Sequence, residues 1–593
     1  MGSNIFSIGV SGLNAAQTAL AVTGNNIANV STPGYNVQYV TQAGRSPQYQ
    51  GFGFLGQGVD ITNVLRTYDK FLSGQVQTAQ TNSSYYDTQV KQLNQINNLM
   101  ASTDVSIIPA LQDFYGAMQT LSQQPDSIPS RQTVLNMAQA LSTKFATVDG
   151  QLQQMQSGAN GQIKSTVDSI NSLASQIASL NTQIAALTGG NQLGSQPNTL
   201  MDQRDQAMLE LNKLVSAKAV PQSDGTYTVY IGNGQTLVTN AQTNTLATQP
   251  LPTDPNTLQL VFNNPNGTVT AIPNSLITGG QLGGLLNFRD GPLLQARQQL
   301  GTLAINFAAT VNYQNQLGVD NGGVAGQPIF NDLSSYASNP QNAASNLQVL
   351  MTDPNKLATA SNMVSTGGAG GSGVTMSGVW ASLPGGYSGS INSVPPVFPS
   401  STTHPSVGMT GMTITATGSP ATMTATITGP NGGGPYNVVP LGGSVSNGFK
   451  LQTTAVPPVD VGISFQLSGA PANGQTFTVG PAPAGTKPPP GDNSNLRELL
   501  AQQNLKLMGN QSYGSYYSTL VASVGNQTNT AQLQSAAMKT NLKQASESLS
   551  NTSGVSLDQE AANLIKYQQS YQACSKVIQV AQTTFSSILN LMG

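Results

Sequence analysis

The sequence predicts a multidomain α+β protein: terminal antiparallel coiled-coil helices and a long helical bundle stalk, with outer β-rich domains inserted into it. Three features carry this prediction. Both ends of the chain repeat apolar residues every seven positions. Residues 70–215, 293–316 and those from about 495 onward have helical spacing. Between these stretches the period changes to two, with hairpin signals. At 593 residues the chain is also too long for one hydrophobic core, which favours several domains of about 100–200 residues each.

Near the start, Phe6, Leu13, Leu20 and Ile27 recur every seven residues, and Ala16 falls on the same side. The pattern predicts a helix of about 25 residues, roughly 37 Å long. Thr32-Pro33-Gly34-Tyr35 should stop it, because Pro at i+1 and Gly at i+2 suit a type II turn. At the far end Leu557, Leu564, Tyr571, Ile578, Phe585 and Met592 form a row of sevens. Tyr567, Cys574, Ala581 and Ile588 fill the positions three after its middle four. Ser556 with Gln559 reads as a capping box. Asp558 and Glu560 sit in the first turn, where the helix dipole favours acids. This helix should run from about 556 to 591, about 54 Å.

A long amphipathic helix at a chain terminus buries little by itself. Two of them, with the folded middle between, can pair antiparallel. The candidate assembly interface is therefore the two rows: Phe6, Leu13, Leu20 and Ile27 with Leu557, Leu564, Tyr571, Ile578, Phe585 and Met592.

In the interior, Ile163, Ile170, Ile177 and Ile184 share a helical stripe with Leu173, Leu180 and Leu187, ended by Gly189-Gly190. Arg204, Met208, Leu211 and Val215 mark a short helix. Hairpins are expected around Gly232-Asn233-Gly234 and around Asn264-Pro265-Asn266-Gly267. A Gly-rich run at 367–373 opens a Gly/Pro/Thr-rich stretch with strand-like segments at 413–417 and 422–428, and Pro488-Pro489-Pro490 closes it. Val521, Val524, Ala531, Met538, Leu542, Ala545 and Leu549 return to helical spacing. The expected organisation has seven parts. An axial helix at 1–35 pairs with 553–593. A mainly helical stalk occupies 36–220, and a β-rich domain 221–290. Helix and irregular connection fill 291–365, and a Gly/Pro/Thr-rich β insertion 366–490. The stalk resumes over 491–552 and ends in the C-terminal axial helix at 553–593.

Composition excludes several functions. Charged residues make up 7% of the chain, against about 25% in ordinary domains. The net charge of −2 gives no footprint for nucleic acid, and no basic cluster suits an anionic membrane. No run of 18 apolar residues occurs, so no membrane span is expected, and the first residues lack the basic and apolar regions of a secretory signal. One cysteine, Cys574, and one histidine, His404, are a poor start for a metal site or a catalytic triad. No catalytic, cofactor-binding or metal-binding residue is assigned. Cys574, at a d position, reads as a small buried hydrophobe. Trp380 reads as the anchor of a small β core, with an exposed, glycan-binding aromatic as the alternative. Phe288-Arg289 reads equally as a partner contact or as a helix start with a local pair to Asp290. The heptads alone would also suit an extracellular adhesin with β domains on a stalk.

Several blocks narrow this. Asn25-Asn26-Ile27-Ala28-Asn29 followed by Thr32-Pro33-Gly34-Tyr35 resembles the N-terminal signature of the flagellar rod, hook and hook-associated axial protein family. The block Gly554 to Leu564, with Tyr567-Gln568-Gln569-Ser570-Tyr571, is similar to its C-terminal partner signature. Residues 279–289, 312–316, 318–320, 326–330 and 468–477 resemble the hook-associated members at the hook–filament junction, whereas 366–465 looks like a variable insertion. The resemblance implies a structural, non-enzymatic protein without cofactor. It implies export through the flagellar type III apparatus, with a transient cytoplasmic stage, and assembly as a ring at the junction. The implied partners are further copies of itself, the hook protein, a second hook-associated protein on the filament side, and an export chaperone of the FlgN type at the C-terminal helix. Nucleic acid and membrane insertion are not implied.

Overall fold

The computed structural model describes residues 2–49, 51, 53–188, 196–232, 234–263, 267–369, 374–381, 409, 411–417, 422–441, 445, 448–469, 472, 476–483 and 485–592. Their helices are α1 (Gly2–Ala28), α2 (Lys70–Ala101), α3 (Ile108–Gln123), α4 (Ile128–Thr188), α5 (Asn198–Leu214), α6 (Gly280–Phe288), α7 (Leu294–Leu317), α8 (Ser494–Ala501), α9 (Tyr513–Ser553) and α10 (Leu557–Met592). The chain divides into two compact units. One holds residues 1–92, 157–289 and 528–593; the other holds 93–156 and 290–527. Helices α2, α4 and α9 contribute residues to both.

The first unit contains the terminal helices. Its strands are β1 (Gln38–Gly44), β2 (Gln48–Tyr49), β3 (Phe54–Leu55), β4 (Val59–Arg66), β5 (Ala217–Pro221), β6 (Tyr227–Ile231), β7 (Gln235–Thr239), β8 (Gln242–Thr243), β9 (Thr245–Leu251), β10 (Asp254–Asn263) and β11 (Val269–Ile272). Strands β5 to β8 form one antiparallel meander, and β9 to β11 another. Both expected hairpins are present: β6 pairs with β7 and β10 with β11. Asn233 and Asn264 to Asn266 lie outside the described residues, as do Gly189 and Gly190. The isoleucine stripe of α4 does what its spacing predicts. Ile163, Ile170 and Ile177 pack with Met208 and Leu211 of α5 and with Val229 and Leu237 of the sheet. Leu187, in the last turn, departs from the stripe and is exposed. Asn181 of α4 replaces a missing backbone partner. Its Nδ2 donates to the carbonyls of Tyr227 and Asn240, both at 2.8 Å, while its Oδ1 accepts from the Tyr227 N–H.

The second unit holds an aromatic core in which Phe114, Phe307, Phe330 and Tyr513 meet edge to face. Its strands are β12 (Gly318–Val319), β13 (Ala360–Ser361), β14 (Met363–Ala369), β15 (Met376–Ala381), β16 (Gly411–Thr417), β17 (Thr422–Thr428), β18 (Gly433–Pro440), β19 (Phe449–Gln452), β20 (Asp460–Leu467) and β21 (Thr476–Pro481). Eight of these form an antiparallel sheet in the order β14-β21-β16-β17-β18-β19-β20-β15. Its edge strands β14 and β15 approach each other, so the sheet curls toward a barrel. The interior is lined by Met412, Ile414, Leu451, Ile463, Phe465 and Phe477. The side chain of Trp380, the expected anchor, and all of His404 lie outside the described residues.

The head of the stretch expected to be mainly helical, residues 36–66, is built of strands. They form the two-stranded β1–β4 sheet, extended by the β2–β3 hairpin. Short strands flanked by Gly51, Gly53, Gly56 and Gly58 give a weak alternation that helical periodicity further along obscured.

Candidate assembly interface

Helices α1 and α10 run antiparallel within the first unit. The sequence placed their contact on the large apolar rows. The structure places it one step round α1, and on α10 along Tyr567, Cys574 and Ala581, which fill the positions three after the predicted row, together with Ile578 of that row. On α1 the buried face is Gly9, Ala16, Ala19, Thr23 and Asn26, with Gly12 half-buried among them. The spacing of these six is three, four, three, four, three, so they form a seam of small residues. Phe6 is 44% exposed, and Leu13, Leu20 and Ile27 are half-buried beside the seam.

The physical reason is close approach. A Cβ built at Gly9 would lie 2.8 Å from Ile578 Cγ1, and one at Gly12 would lie 2.7 Å from Cys574 Sγ. Only glycine lets the helices come this near. On α10 the most buried positions are Glu560 and Ala581, each 4% exposed, with Tyr567, Cys574 and Ile578 half-buried. Cys574 therefore behaves as the small seam hydrophobe expected of it. Leu557, Leu564, Tyr571 and Phe585, in the row of Ile578, flank the seam and remain exposed, as does Val577 beside Gly9, while Ile565 and Val580 are exposed on the far side of the helix. The side chain of Met592, and that of Ile588, lies outside the described residues.

The motif at the end of α1 closes the pair. Asn29 folds back on the last turn, its N–H and its Nδ2 both donating to the Asn25 carbonyl. Thr32 Oγ1 donates to Asn29 Oδ1. Tyr35 N–H then donates to the Thr32 carbonyl at 3.2 Å with Gly34 at φ +77°, which is the type II turn that Pro33-Gly34 predicts. Thr32, Pro33 and Ala28 are exposed. Asn26 lies under the turn with its amide fully used. Its Nδ2 donates to the Gln38 carbonyl at 2.8 Å and to Glu560 Oε2 at 3.1 Å. Its Oδ1 accepts from Tyr35 OH at 2.8 Å and from the Gln38 N–H at 3.0 Å. One side chain thus joins α1, the turn, β1 and α10. Burial, Asp202 and Glu560 push the Tyr35 phenol up to about 12, so it is a donor at neutral pH.

A buried ion cluster supports the turn from below. Arg66 Nη1 lies 2.7 Å from both Asp202 Oδ1 and Asp205 Oδ2. Burial opposes the Arg66 charge, yet Asp205 and Asp202 hold its pKa above the ordinary value. Asn36 Nδ2 donates to Asp202 at 2.6 Å. The Arg204 guanidinium stacks on the Tyr227 ring 3.5 Å from its centroid, and the Tyr227 hydroxyl donates to Asp205. On the opposite side of α1, the returning strand β4 sits close: Ser11 Oγ accepts from the Val59 N–H and donates to the Ile8 carbonyl. Clefts of about 300 and 390 Å³ flank the Thr32–Tyr35 turn.

Asn26 was legible as part of a motif, but Glu560, Arg66, Asp202 and the glycine seam were not assigned to the site. The three-four spacing of Gly9, Gly12, Ala16 and Ala19 was the available signal. Arg289 is buried and donates to Asn160 Oδ1 at 3.1 Å, and Phe288 is buried beside it, so neither is a partner contact. Residues Ile5–Ala28 are long and apolar enough to cross a membrane by composition, with a mean hydropathy of 1.4. The absence of an unbroken apolar run had hidden this, because Gly, Ser and Thr are interspersed; here that stretch docks on α10. Among the described residues no cluster of three His, Cys, Asp or Glu side chains could hold a metal ion.

Comparisons with known proteins agree with one another. Residues 93–330 match the model of the flagellar hook-associated protein FlgK helical domain. Residues 6–36 match that of the flagella basal body rod protein, and 546–591 that of the flagellar basal body rod FlgEFG protein C-terminal region. Flagellar hook-associated protein 1 of Salmonella typhimurium strain LT2 is 32% identical over 601 residues, covering 99% of this chain and 100% of its own. The protein of the same name in Bacillus subtilis is 28% identical over 366 residues, 57% of this chain and 72% of its own. Among solved structures, the flagellar hook junction protein FlgK from Burkholderia pseudomallei superposes with a TM-score of 0.61 at 26% identity. That match covers 80% of this chain and 99% of that one.

Proposed function

The chain belongs to the flagellar hook-associated protein 1 family, that of FlgK, and from this premise we propose how it serves the junction between hook and filament. It is a structural component of the flagellum, not an enzyme. Copies assemble into a ring through the α1–α10 pair and join the hook protein on one side to a second hook-associated protein on the other. The observation that carries this reading is the apolar surface that α10 leaves exposed. Leu557, Leu564, Ile565, Val580 and Phe585 are exposed along one helix, the last two at 64% and 55%. Apolar surface of this extent left in water by its own chain is an interface for something else. A nearly uncharged surface also lets copies approach without like-charge repulsion.

Before assembly the same face needs cover. The family resemblance supports export through the flagellar type III apparatus, with an export chaperone of the FlgN type holding the C-terminal helix in the cytoplasm. The functional test is deletion of the gene in the source bacterium. Deletion should abolish swimming, release flagellin into the medium and leave hooks without filaments, and the wild-type chain supplied in trans should reverse all three. Filaments that stay attached to hooks in the deletion strain would overturn the junction role.

A further inference from the structure

We propose that the buried Asn26–Glu560 pair sets the register in which α1 and α10 dock. The glycines contribute but are not the whole of it. A shift by one heptad in one direction sets Ala19 against Cys574 and Ala16 against Ile578; in the other it sets Ile5 against Cys574 and Gly12 against Tyr567. A small separation of the helices relieves such apolar crowding at some loss of packing, whereas it does nothing for a buried polar group that has lost its partner.

The observed contacts define one alignment. Position 9 faces Ile578, position 12 faces Cys574, and Asn26 faces Glu560. Counting in sevens, Ala19 falls opposite Tyr567 and Ile5 opposite Ala581. Sliding α10 by a heptad in one direction brings Glu560 opposite Ala19. A methyl then replaces the amide donor, and Glu560 Oε2 is left without a partner, because Asn563 of the same helix donates to Oε1; a buried carboxylate oxygen that loses its donor is strongly unfavourable. Sliding it in the other direction places Tyr567 against Asn26 and carries Glu560 beyond the end of α1. The amide Nδ2 then loses the carboxylate. The native alignment is the one in which both polar groups are satisfied. A single buried polar contact fixing helix register is the best-attested use of such groups in coiled coils. This inference concerns one chain and does not depend on the ring.

Cys574 is the sole cysteine, so disulfide trapping in the full-length chain reads the register directly. A Cβ at position 12 lies 3.9 Å from Cys574 Cβ, within the disulfide range of about 3.5–4.5 Å. Gly12→Cys therefore reports the native alignment. Ile5→Cys and Ala19→Cys report slips of one heptad in the two directions. Each reporter is oxidised alone in two backgrounds, native and Asn26→Leu/Glu560→Leu, and the linked peptides are quantified by mass spectrometry. In the native background only Gly12→Cys should link. In the double-leucine background its yield should fall severalfold while a slip reporter gains yield. Glu560→Gln keeps an acceptor for Asn26 and should restore the native pattern. Undiminished Gly12→Cys linkage without slip products in the double-leucine background would overturn the proposal. So would loss of all three links, which would show that the pair holds the helices together without choosing their alignment.

Discussion

Asn26 and Glu560 stand 534 positions apart in the sequence and meet through a 3.1 Å hydrogen bond inside the terminal helix pair. Both are sealed from solvent, at 1% and 4% exposure. Glu560 also accepts from Asn563 Nδ2 at 3.3 Å. The same Asn26 amide accepts the Tyr35 hydroxyl, so the chain's beginning, its motif turn and its end share one polar junction.

That junction should respond to alkali. The Tyr35 phenol is raised to about 12 by burial, Asp202 and Glu560, whereas an unfolded tyrosine titrates near 10. A raised folded pKa stabilises fully below the unfolded value, and that contribution is lost as pH rises through the folded one. The advantage of the wild type over Tyr35→Phe should therefore be constant below about pH 10. It should shrink by on the order of 1 kcal/mol between about pH 10 and 12, after allowing for solvent screening of this half-buried group. Urea unfolding of the two chains across that range measures it. A constant difference up to pH 12 would show that Tyr35 donates no hydrogen bond of consequence.

The fold was readable where periodicity was strong and local. Ile163, Ile170 and Ile177 announced a buried helix face, and Pro33-Gly34 announced a turn that the Gly34 φ of +77° bears out. The candidate site was half readable. Seven-residue rows identified the two helices, but hydrophobicity alone could not say which face each turned to the other. The large side chains drew attention, whereas the closest approach uses Gly9 and Gly12, whose contribution is the absence of a side chain. Glu560 looked like an ordinary first-turn acid, because nothing local distinguishes a carboxylate that will meet Asn26 from one that faces water. Arg66 and Asp202 are 136 residues apart, and their meeting depends on tertiary folding that spacing does not encode.

Arg66 carries the second prediction. It is a buried cation held between Asp202 and Asp205, and Asp202 also accepts from Asn36. Arg66→Met keeps much of the stem but leaves two carboxylates facing each other without a cation. Breaking a buried pair in this way costs about 3–5 kcal/mol. Thermal unfolding should show a large drop in the transition of the unit that holds the terminal helices. The Lys91–Asp87 pair is a control: the lysine is largely exposed, and Lys91→Met should change stability by less than about 1 kcal/mol. Equal shifts for the two variants would mean that the cluster around the turn is solvated.

The eight-stranded sheet supplies a third. Its first and last strands begin and end beside each other, since the Ala482 N–H donates to the Asn362 carbonyl at 2.8 Å. Replacing residues 363–481 by a two-residue Gly-Ser link therefore closes the chain without stretching it. The sheet core also includes Tyr313 and Leu317 of α7, so the replacement uncovers them. Tyr313→Ser/Leu317→Ser should be added to keep the product soluble. The shortened chain should still be exported and should support swimming in a deletion strain, because the terminal helices are untouched. A soluble, exported variant that leaves hooks without filaments would make the sheet part of the joining mechanism.

The last prediction separates the two faces of α10. Ile578 faces Gly9 across the seam, while Val580, two positions on, and Ile565 lie on the far side of the helix and are exposed. A charge at each should therefore fail differently. Ile578→Asp places a carboxylate in the intrachain contact and should destabilise the helix pair by about 1–3 kcal/mol, seen as faster hydrogen exchange in both terminal helices. Val580→Asp leaves that contact alone, and exchange in the free chain should be unchanged, the unfolding free energy moving by no more than about 0.5 kcal/mol. Both should abolish swimming, since the first disrupts the pair and the second places a charge where a neighbouring copy packs. An export chaperone that grips an amphipathic helix by its i, i+3, i+4 and i+7 side chains should bind both variants more weakly in calorimetry. Gln579→Asp, on an exposed position, should do much less in every assay. Normal swimming with Val580→Asp would show that the outward face is not the surface on which copies assemble. Accelerated exchange in Val580→Asp equal to that in Ile578→Asp would show that the two faces are not distinct.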